Sequence, residues 1–122
     1  MSITNDFPTD IEARQIRQLH LIKNFRVNSI DKVGANKRTI THFYNLLQLL
    51  ENYWSKFTID DSLLAPYSEE EKEQAYFKDS CFFKGEAAYI DAKTDIKEEI
   101  NRLLGVTTGD QLSGAGSYRS DQ

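Results

Sequence analysis

Few side chains in this sequence are of a type that could do covalent or metal chemistry. His20, His42 and Cys81 are the whole complement of histidine and cysteine. A structural zinc ion needs four convergent thiolate or imidazole ligands, and three residues scattered along the chain at no ligand spacing do not supply them. A reactive cysteine needs an electropositive, partly open setting. Cys81 is instead followed by Phe82-Phe83 and reads as a buried, inert thiol. The acidic run Glu69-Glu70-Glu71 lacks the spaced acids and central glycine of a calcium loop. Following Ser68, it suits the positive end of a helix instead. The sequence thus offers no catalytic constellation, no metal site and no cofactor motif, and the expected protein is non-enzymatic.

Charge is a stronger signal. The net charge of −4 hides an asymmetry: seven bases against two acids between Glu12 and His42, and thirteen acids against seven bases between Glu51 and Leu104. Arg14, Arg17, Arg26, Lys37 and Arg38 are candidate contacts for an anion or an acidic partner. RNA or an anionic surface is one such partner. Phe25 is the only aromatic residue between Thr9 and His42, too few rings for base stacking. The basic stretch of one copy could equally meet the acidic stretch of another.

The elements that must position these residues read as helices. The chain has 122 residues, 39% hydrophobic and 28% charged, the make-up of one globular or bundle-like domain. It has no apolar run of spanning length, and its first residues lack the basic and apolar regions of a signal peptide. A lone cysteine fits a reducing cytosolic or nuclear setting. After a flexible leader at 1–8, Thr9-Asp10-Ile11-Glu12 has capping-box spacing, and Ile16, Leu19, Ile22, Phe25, Ile30 and Val33 extend a first helix over 9–33, ended by Gly34. Asn36 is the expected N-cap of a second helix over 36–57. Its face Ile40, Phe43, Leu47, Leu50, Trp54 and Phe57 alternates steps of three and four and must be covered by a neighbour or a partner. Tyr44 and Tyr53 are expected on its outer surface. Thr58 to Tyr67 reads as a loop, with room for one helical turn continuing from Phe57, Ser68 to Glu71 as a second capping box, and 68–104 as a third helix ended by Gly105, with a disordered tail at 106–122. Gly85 interrupts that third helix at a cost of about 1 kcal/mol. The expected fold is all-α: an antiparallel helical hairpin with an additional N-terminal helix, forming a small bundle or coiled-coil-like assembly.

The run Lys37-Arg38-Thr39-Ile40-Thr41-His42-Phe43, followed by Leu50-Glu51-Asn52-Tyr53-Trp54-Ser55-Lys56-Phe57, resembles the N-terminal helical region of Gag-like polyproteins from arthropod LTR retrotransposons of the Pao type. Those open with an "IT-x-F" start and an "L-x-x-W/Y-x-x-F" end. A second helix follows with a "Y-F" pair and a later tyrosine, as Tyr76-Phe77 and Tyr89 stand here. The resemblance covers roughly residues 35 to 105. It implies an assembly or interaction segment, without the zinc-knuckle and protease portions of such polyproteins.

The resulting expectation is a self-association or scaffold module that pairs with itself as a homo-oligomer or with another protein. The core and interaction stripe Ile40, Phe43, Leu47, Leu50, Trp54 and Phe57 would close the hairpin, with Trp54 serving an interface as well if the hairpin pairs with a copy of itself. The alternatives are a helical adaptor for a protein partner and a weak RNA or anionic-surface binder acting through the first helix. No small-molecule substrate is expected.

Overall fold

The computed structural model describes residues 7–105. Of the expected leader at 1–8, residues 1–6 lie outside the described residues, as does the expected tail at 106–122, whereas Phe7 packs against Tyr67 and Phe77. Within the described residues the chain is all-α, with α1 (Thr9–Lys23), α2 (Ile40–Leu64), the single turn α3 (Ala75–Lys78) and α4 (Cys81–Leu104). The hairpin is antiparallel: Arg38 at the start of α2 meets Glu99 near the end of α4, and Glu51 meets Lys93. Helix α1 completes a three-helix bundle. It runs antiparallel to α2, bringing Arg14 to Asp60, and parallel to α4, bringing Arg26 to Asp95.

The start of α1 differs from the expected capping box. Pro8 stands at the N-cap and its carbonyl accepts from the Ile11 and Glu12 amides at 3.1 Å each. Thr9 is already helical and makes no cap bond. The Glu12 carboxylate is drawn instead to the Tyr76 amide at 3.2 Å, so a tertiary donor wins over a local one. Nor does the helix run on to residue 33. It closes at Asn24, and after Phe25 the backbone forms a π-helical turn over Arg26–Ile30, with the Asp31 amide bonded to the Arg26 carbonyl at 2.8 Å. The reason lies in the apolar spacing. Phe25 and Ile30 are both buried although five positions apart, and a wider turn absorbs the extra residue. Gly34 is extended, at φ −70°, and closes no helix.

Thr39, not Asn36, caps α2: its Oγ1 accepts from the His42 amide at 3.1 Å, while Asn36 sits in a 3₁₀ turn over Ala35–Lys37. The expected loop from Thr58 is helix as far as Leu64. Asp60 and Asp61 favour turns when isolated, but here both carboxylates have partners on other elements, and Leu64 is fully buried. Pro66 has no N–H with which to continue the helical ladder, and a 3₁₀ turn over Ala65–Tyr67 ends the segment.

The second expected capping box is also absent, since Ser68 to Gln74 form turns with the Glu71 amide on the Tyr67 carbonyl. Helix follows only in α3, then a break, then α4. Ser80 at the break has φ 54°, a left-handed conformation that costs a non-glycine residue about 1–2 kcal/mol. Tyr76 and Cys81 explain it. Both are buried, yet on one continuous helix they would point about 140° apart. Gly105 ends α4 in the left-handed conformation, as the sequence predicts.

Candidate functional site

The core has two parts. Toward the α1–α2 connection, Phe25, Ile30, Phe43, Leu50, Ala92, Ile96 and Ile100 form a dry cluster. Toward the α2–α4 connection, Leu19, Ile22, Phe57, Leu64, Tyr76 and Cys81 form a second, and Tyr53 and Tyr89 pack against both. The stripe of α2 is therefore used inside the molecule. Phe43, Leu50 and Phe57 are fully buried, and Ile40, Leu47 and Trp54 are half-buried. Trp54 stacks on Tyr89 at 4.5 Å between ring centroids, and Phe57 lies parallel to Phe82 at 5.8 Å. Tyr44 is exposed as expected. Tyr53 is not outer surface: it is half-buried, edge-on to Phe25.

Gly85 has a larger role than a tolerated weak point. It is buried on α4 facing α2, where a Cβ would come within 2.6 Å of the Phe57 ring and 3.3 Å of Leu19. Its missing side chain lets Phe57 reach the α4 backbone.

The second core carries a buried polar chain that sequence reading missed. The Arg14 guanidinium grips Asp60 with two bonds, Nε to Oδ2 at 2.7 Å and Nη2 to Oδ1 at 2.9 Å. Gln18 Nε2 donates to Asp60 Oδ2 at 3.0 Å and to Gln15 Oε1. Gln15 Nε2 donates to the Phe57 carbonyl at 2.8 Å and to the Tyr76 hydroxyl at 3.0 Å, and that hydroxyl donates to Asp61 Oδ1 at 2.7 Å. Both amide hydrogens of each glutamine are thus used, as a fully buried Gln15 requires. The hydrogen bonds from Arg14, aided by Gln18 and opposed by burial, hold the Asp60 carboxyl below the usual carboxylate range. Burial, with Asp61, pushes the Tyr76 phenol far above its ordinary value. The outcome is an ionised acid and a protonated phenol, each fully engaged, which fixes register and offers no base or nucleophile. Only the spacing of Gln15 and Gln18 on the inner face of the first helix could have hinted at it.

The basic candidates part company. Arg14 is held by Asp60, Arg26 lies 3.4 Å from Asp95 and 3.8 Å from Asp31, and Arg38 contacts Glu99, the Val33 carbonyl and the face of Phe43. The opposite charges of the two halves therefore meet within one molecule. Arg17 and Lys37 are exposed and make no ion pair among the described residues.

His20 is exposed on α1 and His42 half-buried at the start of α2, so they do not converge. Burial pushes the Cys81 thiol up, which keeps it protonated at neutral pH. Among the described residues no group of three or more His, Cys, Asp or Glu side chains could hold a metal ion, and no helix is long and apolar enough to cross a membrane.

An apolar row on α4 has no cover among the described residues. On α4, Phe83, Ile90 and Leu104 are 68%, 54% and 52% exposed. With Lys97 they repeat every seventh position, and the exposed Ala87 and Thr94 fall between them. This is the outer side of a helix whose inner side, through Ala92, Ile96 and Ile100, lies in the core. The molecule is thus a small all-α three-helix bundle with exposed Phe83, Ile90 and Leu104 on the outer side of α4. Compared with protein-family models, curated proteins and solved structures, the chain matches none of them.

Proposed function

We propose that this protein is a non-enzymatic self-association module that pairs with a second copy through the outer face of α4. The observation that carries this reading is the row of Phe83, Ile90 and Leu104, all more than half exposed, on a seven-residue spacing whose third position is Lys97. Isolated exposed apolar side chains are ordinary on a protein surface, but a row of them at heptad spacing on a six-turn helix has the pattern of a helix seam. The stripe on α2, expected to close the hairpin, is occupied by α1 and α4. The same is true of most of the arginines that could have bridged copies. An assembly role also agrees with the likeness of residues 35 to 105 to the helical region of Gag-like polyproteins, and a retroelement origin is part of the proposal.

A single helix pair covers less than the roughly 800 Å² per partner of a standard stable interface, so the expected association is weak, on the order of micromolar. Light scattering after size exclusion, across a hundredfold range of concentration, should show the mean mass rising toward that of a dimer. Ile90→Glu places a charge in the seam and should return the chain to a monomer with an unchanged circular dichroism spectrum. A wild-type chain that stays monomeric across the range rules the reading out. An oligomer indifferent to Ile90→Glu and Phe83→Glu places the interface elsewhere.

A further inference from the structure

At the corner where α1 gives way to α2, Ser29, Lys32, Val33, Gly34, Lys37 and His42 line a surface cleft of about 280 Å³. Three of these are basic and none is acidic. Four other clefts on the molecule each include at least one carboxylate: Asp61, Asp91 with Asp95, Glu51, and Asp60.

The acids nearest in the chain and in space are already engaged. Asp31 lies 3.8 Å from Arg26, and Glu99 is held by Arg38 and Arg102. Among the described residues no carboxylate is within ion-pair distance of Lys32, Lys37 or His42. The corner also lies at the start of α2, a helix of 25 residues. The positive end of its dipole adds to the potential there.

We infer that this cleft is an anion site for a phosphomonoester group. The charge balance selects the class. Two lysines and a helix N-terminus, with no acid in the lining, together match a phosphate that carries nearly two negative charges. A singly charged phosphodiester or a carboxylate recovers less of that field. The π turn and the 3₁₀ turn position the site, because the backbone between them brings Lys32, Gly34 and Lys37 to the lining of one cleft. The site lies apart from the outer face of α4, so it stands or falls independently of self-association.

The test is a titration of the full-length, ¹⁵N-labelled chain with inorganic phosphate, at constant ionic strength held by sodium chloride. Amide shifts should saturate and concentrate between Ser29 and His42, and the double variant Lys32→Glu/Lys37→Glu should weaken binding at least tenfold. Arg17→Glu, on the exposed face of α1, should leave it unchanged. Both lysines are exposed, so the double variant should keep the wild-type circular dichroism spectrum. The wild-type shift map does not depend on it. Co-sedimentation with phosphatidylcholine vesicles containing phosphatidic acid, or phosphatidylserine matched in surface charge, identifies the source. Selective retention on phosphatidic acid supports the site with a lipid headgroup as its ligand, and saturable binding of phosphate alone supports it with a soluble monoester. Shifts that never saturate, that spread evenly over all lysines and arginines, or that persist in the double variant overturn the assignment.

Discussion

The two halves of the core solve the same problem by different means. Near the α1–α2 connection, Phe25, Phe43, Leu50, Ile96 and Ile100 meet with no buried polar side chain among them. Near the α2–α4 connection, Phe57, Leu64 and Tyr76 share the interior with Gln15, Gln18 and Asp60. Burial of apolar area has no direction, so the dry half supplies free energy without saying which rotation of α1 is correct. The wet half does say. Gln15 can satisfy both its amide hydrogens only when α1 faces the Phe57 carbonyl and the Tyr76 hydroxyl together, and any slip leaves buried donors unpaired.

Substitutions in each half should therefore fail differently. Leu50→Asp has the largest effect: a carboxylate with no partner in the dry cluster should cost more than about 4 kcal/mol and leave the chain without cooperative unfolding, as followed by circular dichroism. Asp60→Ala removes the acceptor of Arg14 and Gln18. A loss of about 2–4 kcal/mol in urea unfolding is expected, with the helical spectrum retained and amide signals of α1 broadened. If Asp60→Ala leaves both stability and α1 signals untouched, the polar chain does not set register.

Gly85→Ala drives a methyl group into the Phe57 ring, and a loss of about 1–3 kcal/mol is expected where a surface helix glycine would gain from alanine. Acid should discriminate more gently. The Asp60 carboxyl lies below its usual range in the folded chain, so its contribution is complete above the unfolded value of about 3.9 and disappears as pH falls through the folded value. Glu51 and Glu99 act in the same sense. Burial opposes ionisation of Glu51 but bonds from Lys93 and Tyr89 outweigh it, and at Glu99 the Arg102 bond leads, against burial and with Arg38. Stability should be flat from pH 7 to about 5 and fall below about 4, with a smaller fall in Asp60→Asn.

Much of this fold is legible from residue spacing. The three-and-four alternation from Ile40 to Phe57 defines α2 and its inner face, and Gly105 marks the end of α4, because a helical face and a left-handed cap depend on neighbours only a turn or two away. The local signals misled where neighbours or distant elements offered better partners. Glu12 and Asp60-Asp61 bond across the bundle, Asn36 lost the cap to the neighbouring Thr39, and Ser68 with Glu71 lie in a run of turns. The polar chain through Gln15 was illegible because glutamine carries no sign of whom it will bond.

Composition and periodicity by themselves determined that this chain is helical, which face of its central helix is buried, and that opposite charges divide its halves. Only the folded arrangement decided that those charges neutralise one another within a single molecule, that Phe57 needs Gly85 opposite it, and that the uncovered apolar row lies on α4. Helical propensity and amphipathic spacing act over a turn or two of backbone, whereas which buried donor finds which acceptor depends on elements dozens of residues apart.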